Sequence, residues 1–124
     1  MKYLLDINVL VAAIFRNHAQ HSKADAWIKG KKLATCPISD LGFLRVGTHQ
    51  KGMGSTMSFA RQCLEEFHAK HAVELIAADL PALRSNARTS GETTDFYLAE
   101  LAKAHSFKLA TLDQGVMHPA VEVI

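Results

Sequence analysis

The chain has 124 residues, 48% of them hydrophobic and 21% charged, which is the balance of a globular chain and excludes a disordered or fibrous one. With 14 Lys and Arg against 12 Asp and Glu the net charge is +2, so no global field marks a nucleic-acid binder and any polyanion must be met locally. Cys36 and Cys63 form no CxxC pair and read as buried free thiols of a reducing cytoplasm. The apolar run toward Phe15 is broken by Asp6 and Asn8, and the remainder is far shorter than the roughly 20 residues a membrane helix needs, so no membrane association is expected.

In chain order, Lys2 to Leu5 reads as a short buried strand and Asn8 to Phe15 as the helix it feeds, the first half of a βαβ unit. Ser22 to Lys29 has an apolar side at helical spacing and is closed by Gly30; Lys32 to Cys36 is a second strand. Pro37 ends that strand, Ser39 is an N-cap candidate, and Leu41 to Val46 continue as a helix despite Gly42. Gly47 to Ser55, with three glycines among polar residues, reads as a loop for substrate contact. A long amphipathic helix follows from Thr56 to about Lys70. Val73 to Ala77 is a third strand, placed at an edge by Glu74. Pro81 opens a short helix to Ala87, Arg88 to Gly91 is loop, and Thr94 to His105 is a helix with Leu98, Ala99, Leu101 and Ala102 inward. Phe107 to Leu112 and Val121 to Ile124 complete the strands. This alternation predicts an α/β fold in one domain over residues 1–124, a three-layer α/β/α sandwich about a mostly parallel sheet. Ligands of such sheets gather outside the carboxyl ends of the strands.

Four carboxylates fall there. Asp6, Asp40 and Asp113 each stand just past a strand end, and Asp95 shares a helix face with Leu98, Ala99 and Ala102. Each could simply cap a helix, but Asp95 has no Lys or Arg at i+3 or i+4, and a carboxylate on an apolar stripe is costly unless it is paired or holds a metal. If the sheet is parallel, all four converge at its carboxyl edge. Oxygen ligands alone suit Mg²⁺ or Mn²⁺, and clustered like charges must be partly protonated or met by cations. Such ions polarise phosphodiesters, generate hydroxide from water and stabilise the leaving oxygen. Arg45 and Lys51 flank the glycine-rich loop and are candidates for RNA phosphate contact, with solvated charge as the alternative. The pairs His18 with His21 and His68 with His71 lack further ligands to close a zinc site, and His68 and His71 suit the negative end of a helix dipole.

Leu4-Leu5-Asp6-Ile7-Asn8-Val9-Leu10, Pro37-Ile38-Ser39-Asp40-Leu41-Gly42-Phe43-Leu44-Arg45-Val46, Thr94-Asp95-Phe96-Tyr97-Leu98-Ala99 and Thr111-Leu112-Asp113-Gln114-Gly115 together resemble the ordered acidic motifs of the PIN-domain ribonucleases, and the compact length resembles VapC-type toxins. The resemblance spans nearly the whole chain. It implies an endoribonuclease dependent on Mg²⁺ or Mn²⁺, acting in the cytoplasm on structured RNA as a homodimer restrained by a cognate antitoxin. It also implies catalytic roles for Asp6, Asp40, Asp95 and Asp113, metal binding by Asp6, Asp95 and Asp113, and orienting hydrogen bonds from Asn8 and Thr111. Asp40 stands where the family usually has Glu, which draws the carboxylate back by about 1.5 Å; Ile7 stands where it often has a hydroxyl residue. Those two departures motivate an alternative, an RNA- or antitoxin-binding module of weak catalysis. A phosphotransferase using Asp6 as nucleophile would want an acid where Asn8 stands.

Overall fold

The computed structural model describes residues 1–124. The elements run β1 (Lys2–Leu5), α1 (Ile7–Ile14), α2 (His21–Ile28), β2 (Lys32–Thr35), α3 (Pro37–Thr48), α4 (Met57–Lys70), β3 (Glu74–Leu75), α5 (Thr93–Ala104), β4 (Lys108–Thr111) and β5 (Val121–Val123), with 3₁₀ turns at Ala82–Arg84 and Ser90–Glu92. All neighbouring strands are parallel, in the order β3-β2-β1-β4-β5. Leu4 lies between Ala34 of β2 and Leu109 of β4. No helix is long and apolar enough to cross a membrane.

Alternation along the strands sorts the core into two faces. Leu5, Leu33 and Ala110 pack with α1 to α4, around Val9, Leu10 and the stacked rings of Phe15 and Phe43. Leu4, Ala34 and Leu109 point the other way and pack on Leu98, Leu101 and Ala102 of α5. The sheet thus lies between two helical layers, as the alternation of elements predicts. Chain direction along the sheet reverses at β1: the chain moves out to β2 and β3, then returns to β4 on the other side. The crevice between the ends of β1 and β4 is the switch point where ligands of such sheets bind.

Several local boundaries differ from those read in the sequence. α3 begins at Pro37, because the ring's fixed φ suits the first helical position and Cys36 takes the cap; Ser39 is the third residue, its hydroxyl accepting from Cys36 N (3.1 Å) and donating to Cys36 O (3.0 Å). α3 also runs on through Gly47, where a side chain would meet the Phe15 ring at 3.1 Å, so this glycine permits close packing and the loop begins only at His49. Between Pro81 and Ala87 only a 3₁₀ turn forms, since Leu83 has no core to enter and is 97% exposed. β3 is reduced to two exposed residues at the sheet edge.

Candidate functional site

Asp6 is fixed from both sides. Its backbone N–H completes the β1 to β4 ladder on Ala110 O (3.0 Å), and its carboxylate caps α1 by accepting from Ile7 N (2.7 Å). The capping reading and the site reading therefore both hold for the same side chain. Its second oxygen accepts from the Thr111 hydroxyl (2.7 Å), and that hydroxyl accepts in turn from Asn8 Nδ2 and from Asp113 N, both at 3.1 Å. Asn8 Oδ1 accepts from Leu112 N at 3.0 Å. Thr111 is fully buried and Asp6 is 3% exposed. Thr111 and Asn8 thus lock the end of β4 to the start of α1 and present Asp6 in one orientation. Asp113 accepts from Gly115 N (2.8 Å) in a tight turn at the exposed rim.

Asp95 reaches the same place from the first turn of α5. With Asp6 it lines a hollow of about 350 Å³ whose wall also includes Asn8, His18, Arg45 and Thr94. Burial pushes the Asp95 carboxyl up to about 6, with the charges of Asp6 and Asp113 adding to the rise. Burial likewise raises Asp6, against the hydrogen bonds from Thr111 and Ile7, and Asp113 raises it further. None of the three stands within ion-pair distance of a Lys, Arg or His. Asp6 and Asp95, partly or wholly buried at a switch point beside the charge of Asp113 and without a paired cation, are expensive to ionise.

The fourth carboxylate does not join them. Asp40 accepts from the Thr35 hydroxyl (3.3 Å) and contacts His68 Nε2 (3.2 Å), in a separate hollow lined by Leu44, Arg61, Glu65 and Leu75. Of the four acids expected to converge, Asp6, Asp95 and Asp113 act on one another, while Asp40 lines its own hollow: β2 lies on the far side of β1 from the switch point, and α4 places a histidine beside it. Of the two basic candidates, Arg45 lines the carboxylate hollow, whereas Lys51 sits in the exposed turn after α3 and is absent from that wall. His18 and Thr94 are additional wall residues. Thr94 adjoins Asp95 in the sequence, but nothing in the spacing of His18 points to this hollow.

No three His, Cys, Asp or Glu side chains close on one point as a ready-made ligand cage. The fit to a hard cation rests on donor chemistry: oxygen-only groups, two of which, Asp6 and Asp95, have their proton affinity raised by burial and by neighbouring carboxylates. Mg²⁺ is commonly bound by one or two carboxylates with several waters retained, and not by an all-protein cage.

The PIN domain family matches residues 3–121. The chain is 34% identical to Ribonuclease VapC44 of Mycobacterium tuberculosis, over 98% of this chain and 92% of that protein. It is 31% identical to Ribonuclease VapC38 of the same organism, over 91% and 86%. The fold also matches a chain in the crystal structure of VapBC2 from Rickettsia felis bound to a DNA fragment from their promoter, with a TM-score of 0.60, 20% identity, and coverage of 91% of this chain and 89% of that one.

Proposed function

Because this chain belongs to the PIN-domain family, as the match over residues 3–121 and the VapC relatives establish, we propose that it is an endoribonuclease of VapC type, the toxin of a toxin-antitoxin pair. The observation that carries this reading is the set Asp6, Asp95 and Asp113, coupled through their charges and without a paired cation at the switch point. In this reading those three carboxylates hold Mg²⁺ or Mn²⁺, directly or through water. The ion, when bound, supplies Lewis-acid polarisation of the phosphodiester and lowers the pKa of water enough for hydrolysis at neutral pH. Thr111 and Asn8 keep the Asp6 carboxylate in place through its hydrogen bonds. Arg45, on the wall facing the acids, meets an RNA phosphate and holds the strand over the hollow. Lys51, at the exposed turn, offers a second, more distant phosphate contact. Single-stranded loops of structured RNA suit so open a site better than duplex, whose bases are less accessible. The antitoxin partner expected here is an amphipathic segment that carries a basic side chain to the acidic hollow, with the toxin as a homodimer.

The test compares purified, antitoxin-free protein with Asp95→Asn on structured cellular RNAs, with Mg²⁺, Mn²⁺ or EDTA, mapping cut ends. Cuts at few sites that leave 3′-hydroxyl and 5′-phosphate ends, need the metal and vanish in the variant are expected. Cleavage that persists unchanged in EDTA overturns the metal-dependent mechanism. A folded protein that binds RNA but cuts nothing under any metal favours the binding module instead.

A further inference from the structure

Thr35 ends β2, Asp40 lies in the first turn of α3 and His68 in the last turn of α4, so one cluster of side chains ties three elements together. His68 Nε2 stands 3.2 Å from Asp40 Oδ1 and 3.3 Å from Thr35 Oγ1, while the Thr35 hydroxyl donates to Asp40 Oδ2 over 3.3 Å. Each carboxylate oxygen of Asp40 therefore has a polar partner. Thr35 is fully buried, and the side chains of Asp40 and His68 are only 19% and 24% exposed. Asp6 also has a donor on each oxygen, so what sets Asp40 apart is its surroundings: it lines a hollow that holds neither Asp6 nor Asp95, with the His68 ring against it, and turning it away would leave the fully buried Thr35 hydroxyl without its acceptor. Asp40 is also one methylene shorter than Glu, so its reach is less by about 1.5 Å.

We propose that Asp40 is a positioning residue in this chain: His68 and Thr35 hold its carboxylate against α4 and withhold it from the cation site. The role rests on the reading that Asp6, Asp95 and Asp113 take the cation. In it, Asp40 anchors the start of α3, the helix that carries Arg45 to the hollow, while the acids beyond β1 and β4 form the binding set.

The test is direct binding of Mn²⁺ to the full metal-free chain, read by the electron paramagnetic resonance signal of free Mn²⁺, with melting curves to separate lost binding from unfolding. Asp95→Asn is expected to weaken Mn²⁺ binding by at least about 10-fold. Asp40→Asn is expected to leave Mn²⁺ affinity where it is while lowering the melting temperature with and without metal. Thr35→Val, which preserves the buried shape, and His68→Leu each remove one of the two partners that hold Asp40, and each is expected to tighten Mn²⁺ binding several-fold, a gain abolished by adding Asp40→Asn. Weakening by Asp40→Asn comparable to that by Asp95→Asn overturns the proposal, as does an unchanged affinity in both Thr35→Val and His68→Leu. If Asp95→Asn itself binds Mn²⁺ like the parent, the cation reading falls, and this proposal with it.

Discussion

β2 and β4 carry the same four residues, Lys-Leu-Ala-Thr, and each pairs in parallel with β1. Both bury their terminal threonine completely, and both threonine hydroxyls donate to an aspartate. The outcomes nonetheless diverge. Thr111 serves Asp6, a carboxylate pressed by Asp113 and coupled to Asp95, with no cation paired to any of them. Thr35 serves Asp40, which has His68 at 3.2 Å. An aspartate past a strand end is thus not in itself a sign of chemistry. What marks the Asp6 side is a buried carboxylate with no basic side chain beside it, and what marks the other side is a carboxylate with an imidazole against it.

Exchanging each threonine for the isosteric valine breaks that comparison most sharply. Thr111→Val leaves Asp6 Oδ2, Asn8 Nδ2 and Asp113 N without their shared partner. A loss of about 2–3 kcal/mol is expected, with a fall in melting temperature on the order of 10 °C. RNA cleavage should fall roughly 10- to 100-fold, as for other residues that orient a metal ligand. Thr35→Val should cost less, about 1 kcal/mol, because His68 still serves Asp40. Equal losses in the two variants, by thermal melting, would mean that the identical strands are also equivalent in energy.

This contrast also explains what could be read before the fold was known. Asp6 and Asp113 are legible because a parallel sheet puts every strand's carboxyl end on one edge, and Asp95 because it lies on an apolar helix stripe with no local cation. Asp40 satisfies the strand-end rule equally well, so nothing local separates it from the others. Its fate is set by strand order, which places β2 away from the switch point, and by His68, which stands 28 residues on and reaches it only through packing of α4 against α3. The start of α3 differs from the sequence expectation for a local reason, the choice between Ser39 and Cys36 as cap, which Pro37 at the first helical position decides. His18 enters the hollow from the turn after α1, and no periodicity encodes a turn's direction.

The two sides should also differ in how they respond to acid when no metal is present. Asp95 is raised to about 6 in the folded chain, above its value in the unfolded one, so the fold binds more protons than the unfolded state across that interval. Its stabilising contribution is complete at low pH and is lost as pH rises from the ordinary carboxylate range through about 6; the raised Asp6 acts in the same direction. Asp95→Asn removes this loss. Discounted for partial exposure, the gain at pH 7 is on the order of 1 kcal/mol. Melting curves of the metal-free chain from pH 4 to 8 should show wild type falling behind the variant above about pH 6, with Mn²⁺ closing the gap through binding to the folded state. Parallel curves at all pH values would show that Asp95 carries no such penalty.

A smaller effect lies where α1 and α3 touch, beside Asp6. A Cβ at Gly42 would stand 2.2 Å from Ile7 Cδ1 and 2.5 Å from Ile7 Cγ1, so these helices approach as closely as they do only because Gly42 has no side chain. Ile7 also donates its backbone N–H to Asp6. Gly42→Ala gains about 1 kcal/mol of helix propensity and loses roughly 1–3 kcal/mol to overpacking, for a net loss of about 1 kcal/mol. If the clash is the cause, Ile7→Ala should relieve it, and the double variant should be more stable than the sum of the single changes predicts. The displacement should also weaken Mn²⁺ binding slightly, since it bears on the residue that caps with Asp6. A loss of stability with unchanged Mn²⁺ affinity would show that the Thr111 and Asn8 bonds alone hold Asp6 in place, and that the α1 cap contributes to the fold without contributing to the site.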